Sequence, residues 1–254
     1  MMDNINFNHI HKYGTLVMKN ELFNHVHNPE VLLQYDSNFI KFNRVPTKEE
    51  FLNTEAYLMA YHKKYGQEHV KFYFPEGEKL PTYLTDYFHE NNFSLGFLEL
   101  YAINPASFPK VESNINIQVH EVTIDTLDMY LNLQFKEDSS HGETYAKQKQ
   151  AQCISTFSNN DILQMIAFYQ NAPAGAVDVI VKEQTVEIDN LLVATEFQRK
   201  GIGSSIQKYI MDRFPEKTVI LVADGEDTPR HMYRKQNYQY LGFQYEAMKV
   251  FSCS

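Results

Sequence analysis

The segment richest in chemistry is Gln198-Arg-Lys-Gly201-Ile-Gly203, which joins a strand-like run ending at Val193 to an amphipathic stretch. A glycine-rich turn that opens a helix is an anion site, because free backbone N–H groups and the positive end of the helix dipole point the same way. Gly201 and Gly203 let the amides from Lys200 to Ser204 approach a pyrophosphate closely, and Arg199 and Lys200 add positive charge. Ser204 and Ser205 are small enough not to block that approach. Upstream, Glu187 and Asp189 alternate along one strand and therefore share a face. Two carboxylates so placed raise one another's pKa and attract a cation.

Two common phosphate loops are excluded by their own requirements. A P-loop needs Gly-Lys-Ser/Thr, and Gly203 is followed by Ser-Ser. A dinucleotide fingerprint needs a third glycine at position 206, which is Ile, although Asp224 lies at a tolerable distance for ribose. Only about 50 residues follow the loop, too few for the rest of such a domain.

The elements that must position these residues follow from periodicity. Residues 123–135 read as a helix with Leu127, Tyr130 and Leu131 at helical spacing, and 143–157 as a second, separated by the polar turn Glu137 to Gly142. Strand-like runs cover 162–169, 176–181 and 185–193, with 170–175 as a turn. Residues 201–214 form a helix stopped by Pro215, 219–223 a buried strand, about 228–236 a helix and 240–251 a last strand. The first half repeats that order: strand 39–45, helix 47–65, strand 69–74, helix 80–90, strand 95–103. Its ending, Tyr87-Phe88 to Asn92-Phe93 and then Leu95-Gly96-Phe97, parallels Met232-Tyr233 to Asn237-Tyr238 and then Leu241-Gly242-Phe243. A decayed tandem repeat accounts for both. The proline-bearing stretch 104–116 marks a boundary near Val111, giving domains 1–110 and 111–254.

With 254 residues, 43% of them hydrophobic, the chain can bury a large core. The balance of 23 basic against 32 acidic residues, net −9, argues against a nucleic-acid partner. Residues 1–14 lack an apolar signal core and no run is long enough for a membrane span, so a cytoplasmic protein without membrane association is expected. Cys153 and Cys253 read as ordinary thiols. His9-x-His11 and His25-x-His27 each pair two imidazoles on a strand face without a third ligand, so no metal is expected and the histidines read as solvated. The run Asp224 to Asp227 reads as a capping turn, not a calcium loop.

Through Val186-Glu-Ile-Asp-Asn-Leu-Leu-Val193, Gln198-Arg-Lys-Gly-Ile-Gly203 and Asp227-Thr-Pro-Arg-His-Met-Tyr233, residues 117–251 resemble the GNAT superfamily of acyl-CoA-dependent N-acyltransferases. The first two match that family's fourth strand and its pyrophosphate loop. The third departs at Asp227 and Arg230, where Asn and Ala are common, and Asn237 stands where Gly usually precedes an aromatic. The resemblance implies an α/β fold with a mixed, largely antiparallel sheet flanked by helices, preceded by a smaller, degenerate GNAT-like half.

It also implies acetyl-CoA as co-substrate, with the amides of Gln198, Arg199, Lys200, Gly201, Ile202, Gly203 and Ser204 around the pyrophosphate and Leu191, Leu192 and Val193 pairing with the pantetheine arm. Glu187, eleven residues before Gln198, stands where some relatives carry a carboxylate base, with Asp189 as its rival. Tyr233 matches a tyrosine that protonates the departing sulfur in many relatives. The expected activity is N-acetylation of a primary amine on a small molecule or peptide. A non-catalytic CoA-binding sensor or interaction module is the alternative, and it has no need of both Glu187 and Tyr233. Residues 1–110 have three roles open to them: covering the site, forming a homodimer surface, or supplying part of the acceptor pocket. In that half the counterpart of the loop is Pro46-Thr-Lys-Glu-Glu50, a capping box without glycine, and Phe88 replaces Tyr233, so one CoA per chain is expected, bound by the second half.

Overall fold

A computed structural model describes residues 4–226 and 229–251, with backbone only for Pro229, Arg230 and His231. Asp227, Thr228 and Cys253, which figure in the readings above, lie outside the described residues. In chain order the elements are β1 (Thr15–Lys19), β2 (Phe23–His27), β3 (Phe39–Phe42), α1 (Lys48–Lys64), β4 (His69–Tyr73), α2 (Thr82–Glu90), β5 (Ser94–Ile103) and β6 (Ile117–Glu121). There follow α3 (Leu127–Asp138), α4 (Glu143–Thr156), β7 (Ile162–Tyr169), β8 (Ala172–Val181), β9 (Thr185–Val193), α5 (Ile202–Arg213), β10 (Thr218–Asp224), α6 (Pro229–Lys235) and β11 (Gln239–Val250). The expected helices and strands are present, β2 carries the His25-x-His27 pair, and β1 and β6 are additions. The turn expected over 170–175 is shorter. Gln170 and Asn171 alone make it, both left-handed, as a two-residue hairpin turn requires. Strand β8 therefore starts at Ala172, and Pro173 sits beside the irregularity between Ala167 and Phe168, where its missing N–H does least harm.

The chain divides into two compact units. One comprises Ile5–Leu100, Ala223–Arg230 and Leu241–Ser254; the other comprises Met1–Asn4, Tyr101–Val222 and His231–Tyr240. The division falls at Leu100, before the proline-bearing stretch, and residues 241–254 join the unit of the first half. The reason is a strand pairing: β11 lies antiparallel to β4 from Glu246↔Tyr73 to Val250↔His69.

In the first unit the strands run β1-β2-β3-β4-β11, with β3 and β4 parallel. Strand β4 is buried along its whole length. Its core is aromatic: Phe42, Phe51, Phe72, Phe74, Phe88 and Phe93 form one cluster. The Phe51 and Phe88 rings meet edge-on at 5.1 Å, and Phe42 stacks on Phe74 at 5.5 Å. Offset and edge-on geometry of this kind adds to the gain from area burial. His25 and His27 on β2, with His62 and His69, are buried in this unit. The expectation of solvated imidazoles at 25 and 27 is thereby corrected: the alternation that pairs them on one face points that face inward. His9 and His11 are not on a strand.

In the second unit β6, β7, β8 and β9 form an antiparallel ladder, and β10 joins β9 in parallel. Helices α3 and α4 pack against one face through Tyr130, Leu131, Leu133 and Cys153. Helix α5 lies on the other, so close that a Cβ on Gly175 would sit 3.1 Å from both Ile202 Cγ2 and Ile206 Cδ1. Glycine at 175 is what permits that approach.

Candidate active site

Strand β9 is where the second unit opens. Its parallel pairing with β10 runs Thr185↔Thr218, Val186↔Val219 and Glu187↔Ile220, and stops there. On its other side the antiparallel register with β8 slips between Asp178↔Asp189 and Ala176↔Leu192, with Asn190 left-handed at φ +53°. An extra residue in one strand bends it and inverts the faces beyond. Leu192 therefore packs toward α3 and α4, while Val193 faces α5. Leu191, Leu192 and Val193 are half-buried, and the parallel β10 edge beside them is unpaired.

The bent strand leads into the glycine loop. Gln198 Nε2 donates to Val193 O at 3.4 Å, Arg199 is left-handed at φ +61°, and Gly201 at φ +87° is the N-cap of α5. No side chain caps that helix. Its first N–H groups therefore await a partner from outside, in a loop exposed from Gln198 to Gly201. Only Gly201 is needed for its backbone angle. At Gly203 a Cβ would meet nothing nearer than Val193 Cγ2 at 3.7 Å, an ordinary contact, so protein packing does not demand glycine there.

Against the loop lies a cleft of about 680 Å³, lined by residues 108–117, by Lys200 and Gly201, by Ser204 and Ser205 of α5, and by Lys235 and Gln236. Gln236 Nε2 donates to Ser204 Oγ at 3.3 Å, which ties the end of α6 to the first turn of α5. Lys200 Nζ sits over the rings of Tyr169, at 4.9 Å, and Phe197, at 5.1 Å. With Lys110, Lys200 and Lys235 on its walls, the cleft suits a phosphorylated ligand.

The other two predicted residues lie away from that cleft. Glu187 is buried, on the face of β9 that looks toward α3 and α4, the face it shares with Asp189. Tyr233 is half-buried on α6, its ring 5.7 Å from Tyr101 and 5.5 Å from Tyr238, and burial raises its pKa. A phenol so placed keeps its proton at neutral pH and can give it to a stronger base.

A buried polar group between β8, β9 and α3 escaped the sequence reading. Tyr130 OH donates to Asp178 Oδ1 at 2.5 Å, Gln134 Nε2 donates to Tyr130 OH at 3.1 Å, and Asn190 Nδ2 donates to Gln134 Oε1 at 3.2 Å. Burial pushes the Asp178 carboxyl up to about 6, against the pull of the Tyr130 hydrogen bond. The one signal available was Asn190 itself, a residue disfavoured inside strands and tolerant of the left-handed region. Cys153 is buried, and its thiol is pushed up to about 12, which keeps it protonated and unreactive.

The divergent strand, the glycine loop and the helix that follows it form the arrangement expected from the resemblance seen in the sequence. The model of the acetyltransferase (GNAT) family matches residues 124–238. The second half of this chain carries a GNAT-family domain. Its other half, residues 5–101, matches a domain of unknown function, DUF5613. A functionally unknown conserved protein of Staphylococcus epidermidis is similar over nearly everything, with 31% identity, a TM-score of 0.91, and coverage of 99% of this chain and 100% of that one. A GCN5-related N-acetyltransferase from Kribbella flavida shares the fold at a TM-score of 0.65 and 12% identity, covering 93% of this chain and 89% of its own. A tandem GNAT protein from the clavulanic acid biosynthesis pathway does so at 0.53 and 9%, covering 92% and 80%. No curated protein matches the chain. The GNAT domain supports acyl transfer in general terms. No helix among the described residues is long and apolar enough to cross a membrane.

Proposed function

We propose that this protein transfers an acetyl group from acetyl-CoA to a primary amine of a small molecule or peptide. The observation that carries the reading is the divergence of β9 from β10 immediately before an uncapped helix N-terminus. The N–H groups at the start of α5 take the pyrophosphate, with Lys200 beside them, and the free edge of Leu191 to Val193 pairs with the pantetheine amides. The thioester then lies in the gap between the two strands.

In the transfer, the amine nitrogen attacks the thioester carbonyl and the carbon–sulfur bond breaks. The amine's proton goes to Glu187, through a water since that carboxylate is buried, and the departing thiolate takes a proton from Tyr233. Carboxylates at 187 and 189 on one strand face favour an acceptor that arrives as a cation. The element order β-α-β-α-β from β3 to β5 matches that from β9 to β11, which supports reading the first half as a repeat that has lost its loop. A panel of amines assayed for CoA release with acetyl-CoA tests the proposal. Turnover on at least one amine is expected. CoA that binds without turnover on any of them would leave a binding module instead.

A further inference from the structure

Strand β9 gains its bend from Asn190, and Asn190 is held from a distance. The hydrogen bonds run one way: the Asn190 amide donates to Gln134, the Gln134 amide to the Tyr130 hydroxyl, and the hydroxyl to Asp178. Tyr130, Gln134 and Asp178 are all buried. The chain starts on β9, climbs onto α3, and returns to β8 at the residue paired with Asp189, one position before the bulge. Both ends of the slipped register are thus tied to the same helix face. Such a buried polar chain is costly unless every member is satisfied, and each donor here has its acceptor.

We propose that Gln134 and Tyr130 are positioning residues for acyl-CoA: anchored on Asp178, they hold Asn190 in the left-handed bulge from which Leu191 to Val193 are presented to the pantetheine arm. The inference rests on the reading of β9 as the CoA strand. Without the bulge the faces of Leu192 and Val193 would exchange, and β9 would have no cause to leave β10. Tyr130 does not line the cleft, so beyond the packing of Leu192 on its cluster its effect on binding passes through Gln134 and Asn190.

The test uses the full chain and two readouts: amide hydrogen exchange over residues 188–194 without ligand, and calorimetric binding of CoA. Gln134→Leu, close in volume, is expected to speed exchange in that segment and to weaken CoA binding about tenfold, roughly the worth of one hydrogen bond. Asn190→Gly, at an exposed position, removes the tether alone and should match Gln134→Leu, whereas Asn190→Val also loses the tolerance of the left-handed angle and should lose more. If Gln134→Leu fails to fold, the two Asn190 variants decide. Wild-type exchange and affinity in Gln134→Leu, Asn190→Gly or Asn190→Val, or equal losses in the two Asn190 variants, would overturn the proposal. A wild-type chain that binds no CoA overturns the CoA reading and the positioning role with it. The exchange data then still report whether the chain holds the bulge.

Discussion

At the scale of the residue, the two glycines of the loop do different work. Gly201 supplies a left-handed N-cap, while a Cβ at Gly203 would meet only Val193, at an ordinary contact distance. Gly203→Glu is therefore expected to fold normally and to lose CoA binding, since a carboxylate there both fills and repels. Unchanged calorimetric affinity in the folded variant would refute the loop assignment. Glu187→Gln and Tyr233→Phe should each lower kcat by ~10²- to 10⁴-fold, the usual cost of a positioned base or acid, with KM for acetyl-CoA little changed. Wild-type turnover on the true acceptor in either variant, measured by steady-state kinetics, would sink that residue's role. What could be read in the letters was what depends on type alone: Gly201, the basic flank, the paired carboxylates. Asp178 was illegible because its part depends on a hydroxyl 48 positions away along the chain.

Elements of the same kind can begin open or closed, and α1 and α5 differ in this. Thr47 accepts from the Glu50 N–H at 3.3 Å while Glu50 accepts from the Thr47 N–H at 2.8 Å, and Arg44 pairs with the same carboxylate. The capping box expected there is present, and it occupies the amides an anion would use. One CoA equivalent per chain is the expected stoichiometry, and a titration reaching two would contradict it. Around α1 the imidazoles matter more. Burial holds His25 and His62 at about 4 and His69 at about 3, below the ordinary 6.5, with neighbouring His charges adding to the effect. The unfolded chain thus binds more protons between pH 6.5 and those values. Stability is present in full above pH 6.5 and falls as the pH drops through 4. Thermal melts from pH 7.5 to 4.5 should show Tm declining, with a shallower slope in His25→Phe. A flat profile would mean that these rings are hydrated. Local pattern made the helices and most strands legible. It missed β1, whose residues are all exposed and carry no alternation, and β6, whose alternation abuts the proline-bearing stretch.

For the whole molecule, the halves of the sequence and the halves of the structure do not coincide. Strand β4 is covered along one edge by β11, with Lys71 paired to Glu246 at 3.0 Å and Gln244 Nε2 donating to Phe74 O at 2.6 Å. A boundary near Val111 is what a local reading gives, because no window of sequence reveals a partner some 170 positions away. A chain ending at Tyr240 is expected to lose protease resistance in residues 5–100, since β4, buried along its whole length, would then expose an unpaired edge. Limited proteolysis that left this region intact would show that β11 is dispensable.

The same strand sets a schedule for biosynthesis. Residues 5–100 leave the ribosome well before residues 246–250, at about 5 to 20 residues per second, and their sheet stays incomplete until those emerge. For most of translation the phenylalanine-rich unit therefore waits beside the growing chain with one edge bare. The cell's holding chaperones would meet this protein through residues 5–100, and a chain cut just before residue 246 would be as damaged as one cut within that unit.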